Sequence, residues 1–168
     1  MDNSLLMIAK GERRQHGGNL GYEDLPSSSY SWDNTVANFA SPVPGEGIVI
    51  WDGDTLLGAS VIEKIIEGEN EKVRRRCPEC KKTKIKRRHN KVPEYRCHNQ
   101  QCKHEFDEPL EELISVQTYQ TNHEASGVDL AGRLDGQALR NLCKQKKSQQ
   151  SLRPFKWTEF LNIIGGAE

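Results

Sequence analysis

The stretch CPECKKTKIKRRHNKVPEYRCHNQQC, residues 77–102, decides how this chain is read. Two cysteine pairs, Cys77/Cys80 and Cys97/Cys102, bracket sixteen residues crowded with Lys and Arg. Each pair sits on a tight turn that can aim two thiolates at one ion, and Zn²⁺ takes four soft ligands in a tetrahedron. All four positions are protein thiols with none open for water, so the expected Zn²⁺ is structural, not catalytic. A pair of disulfides competes with this reading, but the chain has five cysteines and no secretion signal. His98 and His104 stand close enough to replace Cys97 or Cys102 as ligands. The second pair encloses four residues where two is the commoner spacing. Sixteen residues suffice for two short strands, with Tyr95 and Phe106 as apolar cover. Zinc binding is worth about 10–16 kcal/mol in small metal-folded peptides, ample to fold a hairpin this polar.

Charge is distributed unevenly. The 168 residues hold 24 Lys/Arg and 24 Asp/Glu, a formal net charge of zero. From Lys64 to Lys103 there are fourteen Lys/Arg against five Glu, a local excess of nine. Such asymmetry predicts an anionic partner, nucleic acid first. Lys82, Lys84, Lys86, Arg87 and Arg88 are placed to contact phosphates, and that binding should weaken steeply with salt. An ordinary solvated charge run is the alternative. Apolar residues (35%) and charged residues (29%) suit a globular domain, and no window approaches the ~18 apolar residues of a membrane span. Without an N-terminal apolar run either, the chain reads as soluble and cytoplasmic, with no membrane partner.

Around the ribbon the pattern is β. Gly47–Trp51 is apolar on both faces, as in a buried strand, and Asp52-Gly53-Asp54 signals a turn. Thr55 to Ile66 continues as a long strand with a bulge or close approach at Gly58. Leu113 to Tyr119 alternates, with Ile114, Val116 and Thr118 on one face. The ribbon, 74–106, therefore reads as an insertion into one antiparallel sheet or small barrel, within a single domain spanning 1–168. Near the C-terminus Asp135 is an expected N-cap. Ala138, Leu139, Leu142 and Cys143 make an inward helical face, and Arg140, Lys144 and Lys147 a basic outer stripe. The polar loop that follows offers Lys147, Ser148, Gln149 and Arg153 to phosphates. Trp157, Phe160, Leu161 and Ile164 form a second amphipathic face. The fold class expected is α+β.

No hydrolase elbow, P-loop or HExxH motif is present, and the acidic residues do not cluster into a nuclease site. No catalytic residue is assigned. Arg13 and Arg14, ahead of the glycine-rich run Gly17–Gly21, read as a basic arm against DNA. The apolar neighbours of Tyr30-Ser31-Trp32-Asp33-Asn34 keep neither a helical nor an alternating period, so Tyr30 and Trp32 are not marked as core. A flipped base needs flat walls and polar groups for its Watson–Crick edge, and Tyr30, Trp32, Asp33, Asn34 and Trp51 have that chemistry. The competing view is that these residues simply pack over a barrel end.

Taken together, GERRQHGGNLGYEDL, YSWDNTVANFA, GIVIWDGDTLLGASVIEKI, the CPEC ribbon with RCHNQQCKHEFDEP, and LDGQALRNLCKQKKSQQSLRPFKWTEF resemble an N-terminal domain of bacterial HNH endonucleases, over nearly the whole chain. The resemblance implies a DNA-targeting module joined to a separate HNH nuclease domain absent from this sequence, as in modification-dependent restriction enzymes. It also implies a PUA-like barrel, the group of the SRA, EVE and YTH domains, which reads a modified base such as 5-methylcytosine in duplex DNA by flipping it. The chain itself is then a reader, not an enzyme. A small metal-dependent nuclease, an RNA-binding module and a protein-docking ribbon are the alternatives, and the oligomeric state stays open.

Overall fold

The computed structural model describes residues 3–9 and 28–166. The chain is α+β and rich in strands, and it divides into two compact units, one of Met1–Gly68 with Gln117–Glu168, the other of Glu69–Val116.

The first unit is organised by strands that are apolar on both faces. β1 (Leu5–Ile8) and β3 (Gly47–Trp51) are buried at every position and pair in parallel, Leu5 with Ile48 through Ile8 with Trp51. β4 (Leu56–Val61) and β11 (Leu152–Pro154) join antiparallel to β3 and β1, and β10 (Val128–Asp129) pairs with β4. The five-stranded order is β10-β4-β3-β1-β11. Because side chains alternate along a strand, Leu5, Met7, Ile48 and Ile50 enter one core, and Leu6, Ile8, Val49 and Trp51 another. The second core is closed by α1 (Gly136–Asn141), through Leu139 and its C-cap Leu142, and by α2 (Trp157–Gly165), through Phe160. The first core is closed by Tyr30 and Trp32 of β2 (Ser29–Asp33) and by Tyr119 of β9 (Leu110–Asn122), which pairs antiparallel with β2. With β5 (Lys64–Arg76) these make a three-stranded sheet of order β2-β9-β5.

No barrel is closed among the described residues: one sheet ends at β10 and β11, the other at β2 and β5. A small barrel gives each strand one interior face, whereas β1 and β3 need cover on both. Layering satisfies them, and the sheet is mixed instead of purely antiparallel. The long strand expected from Thr55 to Ile66 divides. Ile62 still donates its N–H to Glu46 (3.0 Å), but Glu63 donates to Asn122 of β9 (2.9 Å), so the chain changes sheets there. The register shift opposite Ile50/Trp51 falls beside Gly58.

Asp135 caps α1, accepting from the Ala138 N–H at 2.8 Å. The helix stops at Asn141, after which Cys143 bridges to Phe155 and Lys144 donates to Pro154. The helical basic stripe Arg140/Lys144/Lys147 is therefore not formed. Part of the expected polar loop is strand β11. In α2 Phe160 is buried, while Leu161 is half exposed. No helix among the described residues is long and apolar enough to cross a membrane.

The second unit holds a small sheet, β6 (Ile85–Arg87), β7 (Tyr95–Cys97) and β8 (Glu105–Phe106), antiparallel in that order. Its core is Cys77, Cys97 and Phe106, with Cys80, Ile85, Tyr95 and Cys102 against them. The Tyr95 and Phe106 rings stack at 5.7 Å.

Candidate metal centre and cationic surface

The four cysteine sulfurs lie within 4.8 Å of one another. Cys77 Sγ is 3.8 Å from Cys102 Sγ, and Cys80 Sγ is 3.6 Å from Cys97 Sγ. Four sulfurs each ~2.3 Å from one ion stand ~3.8 Å apart along the edges of a tetrahedron. The cage fits zinc. All the cysteines among the described residues are free thiols, and neither His98 nor His104 joins the cluster. The His104 ring instead stacks on Phe106.

Both turns are built alike. Cys77 N–H donates to the Lys82 carbonyl (3.0 Å), and Cys97 N–H to the His104 carbonyl (2.8 Å). The residue after each second cysteine, Lys81 (φ 64°) and Lys103 (φ 54°), has left-handed backbone. That twist points the next N–H back toward the sulfur. The Lys82 main chain accordingly holds the Cys80 thiol down at about 6, whereas burial pushes Cys97 up to about 12. The two extra residues of the second pair are absorbed in a turn, with Cys102 N–H donating to Asn99 O (3.0 Å).

Opposite residues on paired strands share a face. Ile85 with Cys97 and Tyr95 with Phe106 make the inner face; Lys86 with Arg96 and then Glu105 make the outer. Lys86 and Arg96 are thus directly opposed like charges, both exposed, with no ion-pair partner among the described residues. Lys82 and Lys84 are also exposed without such partners. Arg87 pairs with Glu94, and Arg88 with Glu105 (2.9 Å) and the Pro93 carbonyl. These two arginines are engaged within the ribbon. Arg96 was not among the residues singled out from sequence, though the alternation Tyr95-Arg96-Cys97 marks it as outward.

The proposed base-reading set is not brought together. Tyr30 and Trp32 are fully covered, and their polar atoms donate to main-chain carbonyls, Tyr30 Oη to Ile8 (2.8 Å) and Trp32 Nε1 to Phe39 (2.9 Å). Asp33 is buried, accepting from the Thr35 N–H (2.9 Å). Asn34 is exposed, its side-chain oxygen accepting from Gln117 N–H at 3.3 Å. Trp51 lies in the other core, across the sheet. Neither Tyr30 nor Trp32 offers a face for stacking; at i and i+2 of β2 they share the face that the pairing with β9 turns into the core. Close by, Phe39 is exposed and stacks on Tyr119 at 6.0 Å. That contact joins distant segments, and no sequence signal announced it.

Lys147 and Gln149 are exposed, Ser148 accepts from the Gln150 N–H (3.3 Å), and Arg153 is buried. Arg13, Arg14 and the glycine-rich arm lie outside the described residues. Comparison with protein-family models, curated proteins and solved structures finds no match to this chain.

Proposed function

We propose that this chain is a DNA-binding module whose zinc-stapled ribbon carries the phosphate contacts, with no catalytic role of its own. The observation that carries this reading is the exposed Lys86–Arg96 pair. Like charges directly opposite on neighbouring strands are destabilising by a few tenths of a kcal/mol. A ribbon that keeps them, with Lys82 and Lys84 alongside, is better matched to an anion than to water. Four thiols in tetrahedral spacing give Zn²⁺ a structural place, and the metal supplies the folding energy that so polar a hairpin lacks.

Contacts of this kind position a protein on a duplex without reading its sequence. The resemblance to the N-terminal domain of HNH endonucleases favours DNA and assigns cleavage to a separate HNH domain. The sealed Tyr30 and Trp32 rings lend base flipping no support. Anisotropy titration of zinc-loaded protein with a labelled duplex, repeated across salt, tests the proposal. Binding whose log affinity falls linearly with log salt supports it; no binding at low salt, or salt-insensitive binding, refutes it. Metal-dependent nicking abolished by one Asp or Glu substitution would overturn the non-catalytic assignment.

A further inference from the structure

Apart from the ribbon, a second group of cations sits on the helix-covered face of the five-stranded sheet. Arg153 of β11 is only 6% exposed, the one buried cation among the described residues. A guanidinium removed from water needs an anion or a full set of acceptors. Arg153 has one acceptor, the Gln150 carbonyl, 2.7 Å from Nε. No carboxylate lies within ion-pair distance of it among the described residues. Its charged neighbour is instead Arg140 of α1, which also lacks an acidic partner and donates from Nη2 to the Gly53 carbonyl (3.1 Å).

Both guanidinium groups meet the same ring. Arg140 Cζ is 5.0 Å and Arg153 Cζ 4.9 Å from the Trp51 ring centre. Trp51 is 1% exposed, and its indole N–H is buried without an acceptor. Gly136 keeps the helix start tight against this place: a Cβ there would fall 2.8 Å from Gly53 O and 3.2 Å from Arg140 Nη1. Burial, and then Arg140, lower the Arg153 pKa from its ordinary value, against an opposing contribution from Cys143. The ring face stabilises each cation, but it leaves the two guanidinium groups without a counter-anion and the indole N–H at the ring edge without an acceptor.

We propose that Arg140, Arg153 and the Trp51 indole N–H form a receptor for a phosphoryl oxyanion. Guanidinium forks match phosphate oxygens, and the indole nitrogen is a donor only. One fork satisfies a carboxylate. Two forks and a third donor suit a tetrahedral group with more oxygens and up to two negative charges. The receptor is independent of the ribbon.

The test is ¹⁵N-edited NMR of the zinc-loaded full chain titrated with inorganic phosphate, against sodium chloride at matched ionic strength. The chain has three tryptophans, and Trp51→Phe identifies the Trp51 indole resonance by its loss. That resonance is expected to shift saturably with phosphate. Arg140→Gln should weaken the response roughly tenfold or more, and Lys86→Thr should leave it unchanged. Arg140 is the half-buried member, so its variant remains informative where replacing Arg153 would disrupt β11. A phosphate response no larger than the chloride response, or one unchanged by Arg140→Gln, overturns the receptor. Acetate binding as tightly as phosphate overturns the phosphoryl assignment. An oligonucleotide with a 5′-phosphate, beside one with a 5′-hydroxyl, separates the sources. A shift with the phosphorylated strand alone assigns the receptor to a nucleic-acid end; a shift with inorganic phosphate but neither strand assigns it to a small ligand.

Discussion

Replacing both members of the opposed pair, Lys86→Thr with Arg96→Thr, separates the ribbon's folding from its proposed binding of phosphates. Thr is a good strand residue, and the inner face of Ile85, Tyr95, Cys97 and Phe106 is untouched, so the fold should survive. Relief of the like-charge pair should stabilise the free ribbon by a few tenths of a kcal/mol. Each phosphate contact contributes a slope of ~0.9 in log affinity against log salt, so losing two lowers the slope by ~1.8. Scaled from a 1 M reference to 0.1 M salt, that difference weakens binding ~60-fold. Anisotropy titration at several salt concentrations measures the slope, and zinc content with a melting curve checks the fold. An unchanged slope in a variant that keeps its zinc would refute the reasoning.

The remaining expectations are independent of that result. Chelating zinc should collapse the NMR dispersion of residues 77–106 while the tryptophan-containing unit keeps its own, because the ribbon core consists of the ligands and their neighbours. If the ribbon amides stay dispersed without metal, the stapling account fails. Lys103→Gly removes a left-handed non-glycine residue (φ 54°) and should stabilise the zinc-bound ribbon by about 1 kcal/mol, measured as resistance to a competing chelator; a loss would contradict the turn geometry. Gly47→Ala would put a Cβ 2.5 Å from Trp157 Cε3 and should cost ~1–3 kcal/mol in urea unfolding, so an unchanged midpoint would show that the ring moves freely. Burial raises the Cys143 thiol above its ordinary value, so the folded state holds a proton that the unfolded state releases first. Stability from this group is intact below the ordinary thiol range and declines as pH climbs through the raised value. Cys143→Ala should flatten that alkaline decline, and an identical pH profile would remove the group from the account.

The cysteine spacing, the cap at Asp135 and the doubly apolar strand Gly47–Trp51 were legible because each is a local rule. Two turns that each present a pair of thiolates, an acceptor before a helix, and apolar residues at consecutive positions need only neighbours in sequence. Charge density on the ribbon was legible too, but its use was not. Only the β6–β7 register sets Lys86 against Arg96, and only folding back onto Glu94 and Glu105 withdraws Arg87 and Arg88. The aromatics show the same limit. Tyr30 and Trp32 stand at i and i+2 of the five-residue strand Ser29–Asp33, but alternation so brief does not say whether the aromatic face is covered, and that cover depends on pairing with β9 far along the chain. Sequence alone determined a cationic hairpin carrying four cysteines at metal-ligand spacing, and a strand-rich core. Tertiary structure decided which aromatics are sealed, which cations stay exposed, and that Arg140 and Arg153 meet at Trp51. Pairing, burial and charge proximity are relations between distant residues, and no local pattern encodes them.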